Sequence, residues 1–204
     1  MKVGILGGTF DPIHYGHLKV ASHGLRILSL SEVLFVPAKA PWMKKTERIT
    51  PLVHREKMLS IALRGFSYFT LYNEPVTEPG VSYSIDLAFP ILNQKKYKSA
   101  ELYLFIGDDH LENLFRWKDI DRLLSIVTLV CFSRNKNKHK PMGIYEFSGE
   151  SIGVQGSKIL EISAPLVSIS GKAIRARMRE EGPISPFSTS GVGEYIRLKK
   201  LYKN

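Results

Sequence analysis

Two histidines, His14 and His17, stand three residues apart with Gly16 between them, directly after Gly7-Gly8-Thr9-Phe10-Asp11-Pro12. An imidazole can donate to an oxyanion, and it changes charge near neutral pH. Adjacent glycines let the backbone turn sharply and come close to a ligand. Leu18, Ala21 and Leu25 recur at helical spacing, which predicts a helix opening near Ile13 to Tyr15. Both imidazoles then fall on one face of its first turn, at the positive end of the helix dipole. That is an anion site, suited to phosphate, with two imidazoles added.

Further groups of the same character lie downstream. In Ser170-Gly171-Lys172-Ala173-Ile174-Arg175 the serine is placed as a helix N-cap, so free amides of the next turn point toward an anion. Lys172, Arg175 and Arg179 fall on one face of that helix; paired with residues 7–17 they suit a triphosphate clamp. Lys39, Lys44 and Lys45 sit in a proline-bounded loop from which they could reach phosphates. Gly107 permits close backbone approach, and Asp109 can accept hydrogen bonds from a ribose or cap the next helix. Trp117 lies between Arg116 and Lys118, which suggests one exposed aromatic face. No serine or cysteine has a matched base, so nothing points to a covalent intermediate.

The elements that must position these groups alternate. Strand-like runs occupy Val3–Leu6, Val33–Val36, Tyr68–Leu71, Leu102–Ile106 and Ile126–Phe132, and helical patterns span 15–29, 51–64, 83–94, 111–124, 171–181 and 190–200. Strands apolar on both faces, alternating with helices, predict an α/β fold: a doubly wound, Rossmann-like parallel sheet with helices on both faces, in a single domain over 1–204 with a C-terminal helical part. In such sheets ligands bind beyond the carboxyl ends of the strands, where strand order reverses. The motifs above all follow strand ends. Residues 134–157, rich in Lys, Asn and Gly, read as an irregular loop.

Composition sets outer limits. With 204 residues and 44% hydrophobic content, the chain can bury a sizeable core. No apolar run reaches the length of a membrane span, and the N-terminus has no secretory pattern. The lone Cys131 reads as a buried strand residue in a reducing compartment. A cytoplasmic location is expected, with no membrane partner. The net charge of +10 fits nucleic acid, an anionic surface or phosphorylated small molecules. The cluster Arg134, Lys136, Lys138 and Lys140 has no interleaved aromatics and is read as solvated loop, so no nucleic-acid partner is expected. The C-terminal cluster Arg197, Lys199, Lys200 and Lys203 flanks apolar residues as the wet side of an amphipathic helix. A homo-oligomer is left open.

The string Gly-Gly-Thr-Phe-Asp-Pro-x-His-x-Gly-His resembles the nucleotidyltransferase superfamily marked by His-x-Gly-His, and more closely the bacterial nicotinate-nucleotide adenylyltransferases. Downstream, Arg55 and Met58, Ser82-Tyr83-Ser84, Gly107 and Asp109, Trp117, and Ile169-Ser170 with Ile174-Arg175 resemble that family's other segments. The resemblance implies transfer of AMP from ATP to nicotinate mononucleotide, with pyrophosphate leaving. His14, His17 and Arg175 would be the catalytic groups. Gly7, Gly8, Thr9, Phe10, Lys44, Gly107, Asp109, Ser170 and Lys172 would bind ATP and its phosphates. Ser82, Tyr83, Ser84, Trp117 and Lys118 would bind the mononucleotide. Mg²⁺ would arrive with ATP, and no protein metal site is implied. The chain departs from the family at Trp42 and Met43 (proline and histidine), at Leu87-Ala88 (Thr-Leu), at Lys172 (a hydroxyl residue) and at Lys118 (an aromatic residue). These departures keep two alternatives in play: an adenylyltransferase for nicotinamide mononucleotide or another phosphate monoester, and a nucleotide-binding sensor with weakened turnover.

Overall fold

The computed structural model describes residues 1–39, 49–73, 84–133, 144–148, 158–163, 169–180 and 182–203. Lys44, Ser82 and Tyr83, with Met43, lie outside the described residues. Seven strands form one sheet: β1 (Lys2–Gly8), β2 (Glu32–Pro37), β3 (Phe69–Leu71), β4 (Glu101–Gly107), β5 (Val127–Ser133), β6 (Ile144–Ser148) and β7 (Lys158–Ser163). Their order is β3-β2-β1-β4-β5-β7-β6, so strand order reverses between β1 and β4. Every pairing is parallel except that of β6 with β7. The doubly wound α/β expectation therefore holds, with one antiparallel edge added. This corrects the irregular reading of 134–157 at residues 144–148, and β7 is a further strand that the composition of its surroundings hid.

Helices α1 (Tyr15–Ile27), α2 (Leu52–Leu63), α3 (Ile85–Asn93), α4 (Ile120–Leu124), α5 (Gly171–Arg179) and α6 (Ser190–Leu198) cover the sheet. One core joins β1, β2 and β5 residues such as Leu6, Phe35 and Val130 to α1, α2, α5 and α6 through Leu18, Met58, Ile174 and Ile196. The other packs Ile5, Leu34, Leu104 and Leu129 against α3 and α4 through Ile91 and Leu123. Each central strand thus buries both faces, which explains its unbroken apolar run.

The helix expected over 111–124 is divided. A 3₁₀ segment, Asp108–Arg116, precedes α4, and the chain turns between them at Asp119, whose φ is 49°. The turn leaves Trp117 and Lys118 outside any regular helix. No helix among the described residues is long and apolar enough to cross a membrane.

Candidate active site

The carboxyl ends of β1 and β4 flank the reversal of strand order, and the groups singled out by residue type gather around it. β1 ends at Gly7 and Gly8, and α1 starts at Tyr15 with His14 as its N-cap, in extended conformation. His17, at the third helical position, accepts a hydrogen bond on Nδ1 from the His14 backbone N–H at 3.2 Å. That bond fixes the neutral tautomer of His17 with its proton on Nε2, so Nε2 is the donor available to an oxyanion. The two rings stack with centroids 3.7 Å apart and planes 22° from parallel. Gly16 permits this: a Cβ there would stand 2.9 Å from both Cε1 and Nδ1 of His14.

The electrostatics follow from burial. His14 is 7% exposed, and removal from water pulls its pKa down to about 4. Burial likewise lowers His17 well below the ordinary imidazole value, and the adjacent His14 adds to the shift. Both imidazoles are neutral at pH 7 in the free protein, since two stacked cations in a poorly solvated site would repel. Stability depends on pH accordingly. A histidine whose folded pKa lies below its unfolded value of about 6.5 takes up protons preferentially when unfolded, so stability present above pH 6.5 is lost as pH falls toward 4. His14 alone can account for about 3 kcal/mol over that interval. Thermal melts should show Tm falling from pH 7 to pH 5, and less steeply in His14→Gln. A flat wild-type profile would contradict the buried neutral pair.

The second signature docks against the first. Ser170 caps α5, its Oγ accepting from the Ala173 N–H at 3.2 Å. One turn on, Arg175 Nη1 donates to the Asp11 carbonyl at 2.8 Å. Gly171 makes room for this contact, since a Cβ there would stand 3.0 Å from the same carbonyl oxygen. Residues 170–175 and 8–14, far apart in sequence, therefore form one surface with two imidazoles, a guanidinium and the N-termini of two helices. Lys172 is exposed on the first turn of α5.

Arg55 completes the loop's support. Only 1% exposed, it donates from Nε to Thr50 O at 2.8 Å, from Nη1 to Thr9 O at 2.9 Å and Ala38 O at 2.8 Å, and from Nη2 to Lys39 O at 3.3 Å. It ties the chain leaving β1 to the chain leaving β2. In the sequence Arg55 is marked only by the family resemblance; in the fold its hydrogen-bond partners are carbonyls.

The remaining expected residues divide. Gly7 is exposed at the strand end, and Leu87 Cδ1 lies 3.9 Å from where a Cβ would stand. Thr9 offers its carbonyl to Arg55. The Phe10 ring is 1% exposed and packs on Phe35 and His17, where it supports the imidazole. Gly107 precedes the 3₁₀ segment and Asp109 is exposed on its first turn. Trp117 meets His110 edge to face at 5.8 Å, and its Nε1 is buried with no hydrogen-bond partner among the described residues. Lys118 pairs through Nζ with Asp86 Oδ1 at 3.3 Å, in the first turn of α3 next to Ser84.

A surface of this kind can bind a polyphosphate and donate to oxygen atoms on which charge develops. Residues 5–177 match the cytidylyltransferase-like family model. A protein of Corynebacterium kroppenstedtii called "Probable nicotinate-nucleotide adenylyltransferase" is 34% identical over 98% of this chain and 90% of its own. One of Bacillus cytotoxicus with the same name is 33% identical over all of this chain and 99% of its own. Among solved structures, the nicotinic acid mononucleotide adenylyltransferase of Plasmodium falciparum complexed with NaAD superposes with a TM-score of 0.74 at 22% identity, over 98% of this chain and 97% of that one.

Proposed function

The chain belongs to the cytidylyltransferase-like nucleotidyltransferases and, within them, to the nicotinate-nucleotide adenylyltransferases, and on that footing we propose how its residues perform the transfer. It transfers AMP from ATP to nicotinate mononucleotide, yielding nicotinate adenine dinucleotide and pyrophosphate, a step of NAD biosynthesis. The observation that carries the assignment of roles is the Arg175–Asp11 bond, which sets the α5 cation beside the His14–His17 pair at the reversal of strand order.

An oxygen of the mononucleotide 5′-phosphate attacks the α-phosphorus of ATP. The bond from that phosphorus to the bridging oxygen breaks, and the electron pair leaves with pyrophosphate. The attacking group is already an anion, so no general base is needed; positioning and charge neutralisation carry the step. His17 Nε2–H, with His14 and the α1 amides, donates to the α- and β-phosphate oxygens. Arg175, Lys172 and the α5 amides capped by Ser170 hold the departing β,γ-phosphates. Lys44 is assigned to the ATP phosphates as a further cation. Gly7, Gly8 and Thr9 bring backbone close to the nucleotide, and Gly107 with Asp109 receives a ribose. Mg²⁺ enters as part of the Mg–ATP substrate.

The acceptor base stacks on the Trp117 ring, and Ser82, Tyr83 and Ser84 are the further residues assigned to the mononucleotide. Lys118 acts indirectly: by pairing with Asp86 it neutralises a carboxylate that would otherwise repel nicotinate at the start of α3. We place the enzyme in the cytoplasm, acting on ATP and a pyridine mononucleotide without nucleic acid or membrane. The choice of base is tested by kcat/KM with nicotinate and nicotinamide mononucleotides. Higher efficiency with the acid supports the reading; equal or better efficiency with the amide removes it.

Trp117→Ala should raise KM for the mononucleotide about tenfold, as expected when about 1–1.5 kcal/mol of ring stacking is removed. ATP binding should stay within twofold. An unchanged mononucleotide KM would place the pyridine elsewhere.

A further inference from the structure

The family match ends at residue 177, yet the loop that carries the first signature is held from beyond that point. Ser188 Oγ donates to Ile13 O at 2.9 Å, and Tyr15 N–H donates to Phe187 O at 2.8 Å. The strongest of these contacts comes from the last turn of the chain. Tyr202 donates its hydroxyl to Asp11 Oδ1 at 2.6 Å, while the Thr50 backbone N–H donates to Oδ2 at 3.1 Å. Asp11 is 6% exposed, so its carboxylate depends on these donors in place of water. The carbonyl of the same residue receives Arg175. One residue therefore joins the C-terminal tyrosine to the guanidinium of the phosphate clamp.

The backbone confirms that this arrangement is held in place. Lys200 and Tyr202 have φ of 51° and 67°, a left-handed conformation unfavourable to residues other than glycine. Such geometry persists where surrounding contacts over-determine it. Here Lys200 N–H bonds Arg197 O at 3.1 Å, Leu201 N–H bonds Ile196 O at 3.0 Å, and the Tyr202 hydroxyl closes on Asp11. Burial and the neighbouring carboxylate push the tyrosine pKa upward, so the hydroxyl is a constant donor.

We propose that Tyr202 is a positioning residue for adenylyl transfer: through Asp11 it sets the carbonyl that aims Arg175 at the polyphosphate of ATP. The inference rests on the function proposed above for Arg175. Loss of the hydroxyl leaves Asp11 Oδ1 without its donor and lets the Asp11 carbonyl turn. A misplacement of about 1 Å can cost up to a hundredfold in rate.

The test is Tyr202→Phe, alone and with Arg175→Ala, read by ATP titration calorimetry and by steady-state kinetics. The single variant is expected to bind ATP several-fold more weakly and to lose about tenfold in kcat/KM for ATP. Its mononucleotide KM should stay within twofold. In the Arg175→Ala background, Tyr202→Phe should change ATP affinity by less than twofold, because the two residues act in series. Met58→Leu is the packing control, since the Met58 sulfur lies 4.0 Å from the same hydroxyl, and should leave ATP affinity within twofold. Wild-type ATP affinity in Tyr202→Phe overturns the proposal. So does an equal loss with and without Arg175, or an equal loss toward both substrates. ATP affinity is read without an acceptor, so a wild type that binds ATP but transfers to no pyridine mononucleotide refutes the transfer reaction separately.

Discussion

His17→Ala should lose about a hundredfold or more in kcat while keeping its fold. The magnitude is that of removing one preorganised donor from a site where charge develops in the transition state. The geometry singles out His17 because its Nδ1 is engaged by the His14 N–H, so the ring is held and Nε2 carries the proton. Phe10 packs edge-on at 5.0 Å and fixes the ring further. The structural cost is smaller. The variant loses one hydrogen bond at the start of α1, about 1 kcal/mol, which moves Tm by roughly 2–4 °C in a chain of this size. Stopped assays and thermal melts on the same preparation separate the two. Near-normal turnover with unchanged melting would remove His17 from the reaction.

Arg55→Met should be the most destabilising single change near the site. The methionine preserves part of the apolar stem but removes the Arg55 donors to the carbonyls of Thr9, Ala38, Lys39 and Thr50. Part-buried acceptors that lose a charged donor cost up to about 1–3 kcal/mol each before relaxation. Because water can reach some of them, a total of about 3 kcal/mol is expected, or a Tm lower by roughly 6–12 °C. Arg55→Lys should recover only part, since an ammonium cannot reproduce a planar fork that spans two loops. Activity should fall with stability, because Thr9 lies in the loop that leads to His14. A wild-type Tm for Arg55→Met would show that those carbonyls find other donors.

The chemistry of the site was legible in sequence where it is local. His14 and His17 are spaced by one turn, Gly16 follows from the packing of their rings, and Ser170 caps the helix it precedes. The central strands were legible too, because burial on both faces writes an unbroken apolar run. What could not be read is what depends on contact across the fold. Arg175 and Asp11 are 164 positions apart, and Tyr202 and Asp11 are 191. No spacing rule connects them. The role of Arg55 was hidden because a buried arginine bonded to carbonyls looks, in sequence, like any helix arginine. The pairing of Lys118 with Asp86 could not be read either, because Asp86 sits on another element. Nothing in the signature's sequence marks the left-handed backbone of Phe10, φ 49°, or the burial of its ring. The turn between the 3₁₀ segment and α4 falls at Asp119, φ 49°, with no glycine or proline to mark it in the sequence.

The central claim is adenylyl transfer by direct displacement at a site made of His14, His17 and Arg175. It is tested most directly by incubating the purified protein with Mg–ATP and nicotinate mononucleotide and following pyrophosphate and dinucleotide together. The expected result is equal amounts of both products, appearing in step, and their loss in His17→Ala. Bound ATP with no pyrophosphate released in the presence of either nicotinate or nicotinamide mononucleotide would contradict it and favour a nucleotide sensor that has lost turnover.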